Sequence, residues 1–150
     1  MNGFLTDRVK ISTISTTTAG AAGTSAITSS AVDMAGYDGC LFIVPMGTIV
    51  SGAATSLKVT DCTTTGGSYN DVAGTNQTIA DTDDDKVFYV DIKQPALQFL
   101  KLVISRATQN ATVGGIIAIQ YQKRSFPAAG ITHGTGVSGE QWTSPADGTA

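Results

Sequence analysis

Two alternating runs joined by a short connector constrain this chain most, and together they occupy residues 98–124. The first reads Gln98-Phe99-Leu100-Lys101-Leu102-Val103-Ile104-Ser105-Arg106, with Leu100, Leu102 and Ile104 on one face and Lys101 on the other. The second reads Val113-Gly114-Gly115-Ile116-Ile117-Ala118-Ile119-Gln120-Tyr121-Gln122. Here Ile117, Ile119 and Tyr121 share a face opposite Ala118 and Gln120. Period-two alternation of branched and aromatic groups marks half-buried strands. The connector, residues 107–112, holds Asn110 among small polar residues, as a turn requires. The pattern predicts a long antiparallel hairpin at the centre of a sheet, with Leu102 and Ile117 directed inward.

Further strands are spaced by turn signals. Val9-Lys10-Ile11-Ser12-Thr13-Ile14 is a weakly patterned first strand. Residues 15–30 are nearly all Thr, Ser, Ala and Gly, so they read as a solvated loop or as an arm laid on a partner. Residues 33–39 read as a turn, with Asp38-Gly39 as its strongest signal. Cys40-Leu41-Phe42-Ile43-Val44 is a nearly continuous apolar strand. Pro45 interrupts it, which predicts an edge, a bulge or a switch between sheets. In Thr55-Ser56-Leu57-Lys58-Val59-Thr60, Leu57 and Val59 point inward. Short strands fit residues 69–72 and 77–79. Lys86-Val87-Phe88-Tyr89-Val90-Asp91-Ile92 places Phe88, Val90 and Ile92 on one face. No fixed repeat and no convincing helix is visible. The expected fold is therefore all-β, an antiparallel, jelly-roll-like β-sandwich.

The sandwich core is expected over residues 9–124, between an N-terminal arm (1–8) and an extended C-terminal arm (125–150). The arms lack a periodic pattern but keep scattered anchors in Phe4, Leu5, Phe126, Ile131 and Trp142. Such anchors make sense as partner-binding groups, because aromatic side chains dominate binding hot spots. For Trp142 the competing expectation is that it folds back onto its own sandwich.

Composition narrows the function classes. A chain of 150 residues suits one domain. Only 14% of residues are charged, against a usual share of about 25%, so the surface is mostly hydroxyl and amide and suits packing into an assembly. A net charge of -3 argues against direct nucleic-acid binding by the whole domain. No apolar run approaches the roughly 20 residues needed to span a bilayer, so no membrane partner is expected. Met1-Asn2-Gly3-Phe4-Leu5-Thr6-Asp7 lacks the pattern of a signal peptide, and a cytosolic site of synthesis is expected. Cys40 and Cys62 form no CxxC pair and His133 is the sole histidine, so two reduced, buried thiols and no zinc site are expected.

The sequence offers few constellations for chemistry. Gly134-Thr135-Gly136-Val137-Ser138-Gly139 matches GxGxxG but lacks a preceding strand, a following helix and a distal acidic residue. Asp81-Thr82-Asp83-Asp84-Asp85 is followed by Lys86 and Ile92 where a calcium loop needs Gly and Glu, so it reads as a solvated turn or a weak cation site. His133 has no imidazole partner, and no Ser lies in a GxSxG elbow. Asp38, Asp61 and Asp91 border strands as carboxylates for a glycosidase pair, against a background in which Glu140 is the sole Glu. Asn76 and Asn110 open formal glycosylation sequons that carry weight only in a secreted chain. Lys123-Arg124 is a small basic pair suited either to an acidic partner or to a solvated strand end. No catalytic residue, cofactor site or metal site is expected.

Some longer stretches resemble a family. They are Val32-Asp33-Met34-Ala35-Gly36-Tyr37-Asp38-Gly39-Cys40-Leu41-Phe42, the run Leu100-Lys101-Leu102-Val103-Ile104-Ser105-Arg106 with Ala107-Thr108-Gln109-Asn110-Ala111, and Gly115-Ile116-Ile117-Ala118-Ile119-Gln120-Tyr121. With the closing Ser144-Pro145-Ala146-Asp147-Gly148-Thr149-Ala150, they resemble the small structural proteins of tailed bacteriophages, among them jelly-roll capsid cement or decoration proteins. The resemblance covers roughly residues 30–124 and that tail. It implies a non-enzymatic virion protein on the outer capsid surface, present in the host cytoplasm during assembly. Its implied partner is the major capsid protein, whose neighbouring subunits it bridges, itself as a homo-oligomer (dimer or trimer). The family has no active-site motif to carry over. Other readings are a head-to-tail adaptor or tail component, and a carbohydrate-binding β-sandwich using Tyr69, Asn70 and Asp71.

Overall fold

In the computed structural model, residues 3–125 and 131–141 are described. A short 3-10 turn (Leu5–Asp7) precedes the strands β1 (Lys10–Thr13), β2 (Ala22–Gly23), β3 (Ile27–Thr28), β4 (Val32–Asp33), β5 (Tyr37–Ile49) and β6 (Ala54–Cys62). There follow β7 (Asn70–Asp71), β8 (Gln77–Ile79), β9 (Val87–Lys93), β10 (Phe99–Ala107), β11 (Ala111–Val113) and β12 (Ile117–Lys123). One sheet has the order β1-β12-β5-β9, and β11 and β2 prolong it beyond β12 along the far half of β5. The other has β10 and β6 at its centre, with β3 and β4 outside β10 and β7 and β8 outside β6. Every pairing is antiparallel. The two four-strand orders are those of a jelly roll, so the fold is the all-β sandwich that the strand pattern predicts.

The core lies between the sheets. Leu57, Val59, Leu100, Leu102 and Ile104 from one sheet and Cys40, Phe42, Val44, Ile116 and Ala118 from the other are almost wholly buried. Val90 is buried too, and Phe88 and Ile92 pack against this cluster partly exposed. Cys40 on β5 and Cys62 on β6 are both free and buried, in opposite sheets.

Several expectations need correction. The runs over residues 98–124 do not form one hairpin: β10 pairs with β6, and β12 pairs with β5 in the other sheet. Alternation reports one buried face, and a strand facing its successor across a core buries a face just as a hairpin partner does. Nor does Ile117 point inward. It is half-buried on the outer face, while Ile116, Ala118 and Gln120 are 1%, 0% and 2% exposed. Opposite the bulky Leu100, Leu102 and Ile104, small Ala118 fits inside. Gln120 is tolerated there because its Nε2 donates to the Asp33 carbonyl at 2.7 Å.

Residues 15–30 are not a free arm. They contain β2 and β3, and Ile27 is 2% exposed in the main core. A single buried Ile supplies an anchor that composition averages away. The turn near residue 36 closes earlier than Asp38-Gly39, with the Tyr37 N–H donating to the Met34 carbonyl and Gly36 at φ 82°. Gly39 instead lies within β5, where the Tyr121 ring occupies the space a Cβ would need. Pro45 stays in regular register with Val87 of β9, and on its other side β5 passes from β12, which ends opposite Ile43, to β11, which begins opposite Met46. The bulge lies just beyond, between Met46 and Ile49, where the register against β11 shifts.

Both outer strands of the β6–β10 sheet are broken in two, and each break is filled the same way. Between β3 and β4, the Ser29 hydroxyl accepts the Leu102 N–H at 2.9 Å while the Ser29 N–H donates to the Leu102 carbonyl at 2.9 Å. Between β7 and β8, the Thr75 hydroxyl accepts the Val59 N–H at 3.0 Å and donates to the Val72 carbonyl at 2.8 Å. Buried hydroxyls thus replace missing backbone acceptors, and the Val59 and Leu102 N–H groups are not orphaned.

Candidate binding surface

The free face of an antiparallel sheet is normally polar, because only the other face meets the core. The β6–β10 sheet obeys, with Ser56, Lys58 and Thr60 of β6 beside Ser105, Val103 and Lys101 of β10. The β1-β12-β5-β9 sheet does not. Its register aligns Ile11, Ile119, Leu41 and Asp91 in one row, and Thr13, Ile117, Ile43 and Tyr89 in the next. Pro45 and Val87 continue the patch. Val87 and Tyr89 are 61% and 64% exposed, and Leu41, Ile43, Ile117 and Ile119 are half-buried. Sequence reasoning missed this surface. Its signal was present in the continuous apolar run of β5, since a strand apolar at every position has something to bury on both faces.

Charged groups border the patch at one end. The Tyr121 hydroxyl donates to Asp91 Oδ1 at 2.6 Å. Burial, and then this hydrogen bond and charge, push the Tyr121 phenol up to about 12. The Cys40 thiol beneath is also pushed up to about 12, first by burial and then by Asp91. It is therefore a protonated core group at neutral pH, with no nucleophilic character.

The terminal anchors fall in different places. Phe4 and Leu5 are 37% and 72% exposed at the 3-10 turn, where the Phe4 N–H donates to Asp7 Oδ2 at 3.0 Å. Residues 133–135 run beside the outer edge of β1. The Gly134 N–H donates to the Ile11 carbonyl at 2.8 Å, the Ile11 N–H donates to His133 Nδ1 at 3.1 Å, and the Thr13 hydroxyl donates to the Thr135 carbonyl at 3.2 Å. Gln141 Nε2 donates to Thr6 Oγ1 and Asp7 Oδ1 at 2.8 and 2.7 Å. Between the two terminal segments lies a cleft of about 890 Å³, lined by Thr6, Asp7, Ile11, Ile131, His133 and Val137 among others. It brings Ile131 towards the N-terminal turn. Phe126 and Trp142 lie outside the described residues.

Several of the side chains considered for chemistry are engaged in holding the fold. Asp84 Oδ1 accepts the Ile49 N–H at 2.6 Å, Asp81 Oδ2 accepts the Gly52 N–H at 2.7 Å, and Asp83 Oδ2 accepts the Ala80 N–H at 2.9 Å. Asp83 also meets Lys86, whose hydrogen bond holds its carboxyl below the usual range. The acidic run thus staples three backbone donors, and among the described residues no three acidic, His or Cys groups converge as a metal site. Asp38 pairs with Arg124 at 2.6 Å, and Lys123 lies over the Tyr37 ring at 5.5 Å, which accounts for the basic pair at the end of β12. Tyr69 donates to the Thr65 carbonyl and lies under Lys101 at 4.2 Å, while Asp71 pairs with Lys58 at 2.7 Å. Among the described residues, the glycine motif at residues 134–139 follows no strand and opens no helix.

What the arrangement can do chemically is bind: it offers an apolar sheet face, exposed terminal side chains and a cleft between the termini. The chain matches no protein-family model, and no curated protein matches it.

Proposed function

We propose that this chain is a non-enzymatic structural protein of a tailed-bacteriophage virion, a capsid cement or decoration protein that bridges and stabilises neighbouring major capsid protein subunits. The observation that carries the reading is the apolar outer face of the β1-β12-β5-β9 sheet, with Val87 and Tyr89 largely exposed. Exposed contiguous apolar surface on a water-soluble sandwich marks a contact with another protein. A jelly roll adds little ordering cost on binding, and weak contacts repeated over a lattice strengthen one another. Phe4, Leu5, Phe126, Ile131 and Trp142 serve as further contacts from the terminal segments. The resemblance to small phage structural proteins supplies the partner. The carbohydrate-binding alternative fits less well, because the Tyr69 ring is covered by Lys101 and Asp71 is paired with Lys58.

Imaging of the intact particle tests the proposal. Copies spread over the whole outer shell support a cement role. Copies confined to one vertex replace it with a head-to-tail adaptor, and absence from the particle defeats both. Mixing the purified chain with shells that lack it gives a second readout, a rise in the shell's thermal midpoint.

A further inference from the structure

Sheet edges expose unpaired backbone groups, and folded proteins blunt them. Of the outermost strands here, all but one are blunted. Residues 133–135 cover β1. The β2, β3/β4 and β7/β8 edges consist of strands two or three residues long. The remaining edge is β9, seven residues long and paired with β5 alone. The Lys86 carbonyl accepts from Met46 and the Gln94 N–H donates to Asp38, so the even-numbered backbone groups face β5. Those of Val87, Tyr89, Asp91 and Lys93 consequently face outward. Among the described residues their N–H groups meet no acceptor, and the one contact on this edge is an exposed amide, Gln77 Nε2 to the Tyr89 carbonyl at 3.0 Å.

We propose that β9 pairs antiparallel with β9 of a second copy of this chain, about a two-fold axis, and so fuses two sheets into one. The strand is its own best complement. A two-fold places Val87 opposite the partner's Lys93, and Tyr89 opposite the partner's Asp91, using the whole strand with no like charges directly opposed. It also sets the acidic turn at Asp85 diagonally beside the partner's Lys93 at both ends of the ladder. The two Asp91 carboxylates fall on a diagonal, about 7–8 Å apart, and each is held by its own Tyr121 hydroxyl. The side chains agree with the backbone: Val87 and Tyr89 of both copies join into one apolar strip across the seam, continuous with Ile43 and Pro45. The terminal stretches are poorer donors, since neither has an alternating pattern.

The inference does not depend on capsid binding and is tested on the full chain alone. Sedimentation and light scattering across a concentration series should give twice the 15.4 kDa chain mass. Tyr89→Pro removes one outward N–H and leaves the ladder to β5 intact; it should weaken dimerisation by about tenfold or more, with the far-UV spectrum unchanged. Tyr89→Ala keeps the N–H and should remain dimeric at higher concentration. Hydrogen exchange of the unaltered chain should show protection at Val87, Tyr89 and Asp91 that rises with concentration, which guards against a proline variant that misfolds. A chain that stays monomeric at all concentrations overturns the proposal, as does a folded Tyr89→Pro variant that pairs as well as the parent. Protection of these amides only on assembled particles assigns the edge to a strand from another protein instead.

Discussion

Ser29 and Thr75 do at single-residue scale what a continuous edge strand would do: each offers a hydroxyl oxygen to a buried N–H of a central strand. Removing that oxygen leaves the Leu102 or Val59 N–H without a partner, which costs about 1–3 kcal/mol. Ser29→Ala and Thr75→Val should each lower the urea midpoint accordingly, with faster exchange at that one amide. Thr55 provides the opposite case. Its hydroxyl is buried and has no hydrogen-bond partner among the described residues. Thr55→Val should be neutral or stabilising by up to about 1 kcal/mol in the same assay. Arg106 is 9% exposed, with three hydrogen bonds to the carbonyls of Ser25, Ala21 and Ala111. Arg106→Ala would strip these acceptors and should cost about 2–4 kcal/mol by denaturant titration. None of these roles was legible in the sequence, because Ser, Thr and Arg look the same in a loop-rich polar stretch whether they fill a gap or face water. The large apolar groups were legible for the converse reason: Leu102 and Val90 can satisfy their hydrophobicity only inside.

The elements were read well wherever one face alone is buried, as in β6 and β10. They were misread where both faces are apolar. On β12, Ile117, Ile119 and Tyr121 outrank Ala118 and Gln120 in hydrophobicity, yet the smaller pair is inside. Leu102→Ala should therefore cost about 2–5 kcal/mol, whereas Ile117→Ala, on the outer face, should cost no more than about 1 kcal/mol; equal losses would restore the inward assignment of Ile117. The neighbouring strands β5, β12 and β9 share a second testable property. Cys40 and Tyr121 ionise ordinarily near 9.0 and 10.0, and both are held up to about 12 in the folded chain. The folded state thus binds these protons more tightly than the unfolded state, so their contribution is complete below pH 9 and disappears as the pH climbs towards 12. The urea midpoint should be insensitive to these groups around neutrality and should fall in that alkaline window. Cys40→Ala should move the start of the fall upward, towards the tyrosine's ordinary value. An unchanged alkaline profile in that variant would remove Cys40 from the account.

At the scale of the whole molecule, the β1 edge and the terminal segments couple folding to the proposed binding. The sequence suggests an extended segment after residue 124, because its Gly, Pro, Ser and Thr carry no period. It could not suggest that residues 133–135 run beside β1, since a contact made by two backbone groups of Ile11, one imidazole and one hydroxyl leaves no hydrophobic trace. Deleting residues 127–150 separates the two duties. The sandwich retains both central sheets and all core residues named above, while losing the bonds at Ile11, Thr13, Thr6 and Asp7. A loss of about 1–2 kcal/mol is expected, which for a domain of this size lowers the melting midpoint by roughly 2–8 °C. The uncovered β1 edge then becomes a second strand-accepting edge, so the truncated chain should form oligomers beyond those of the parent, measurable by sedimentation. Shell binding should be lost, because Ile131 and Trp142 leave with the segment and Phe126 loses the chain that follows it. A truncated chain that decorates shells at full occupancy would show that the sheet face binds without the terminal segment. One that unfolds outright would show that the segment is part of the core.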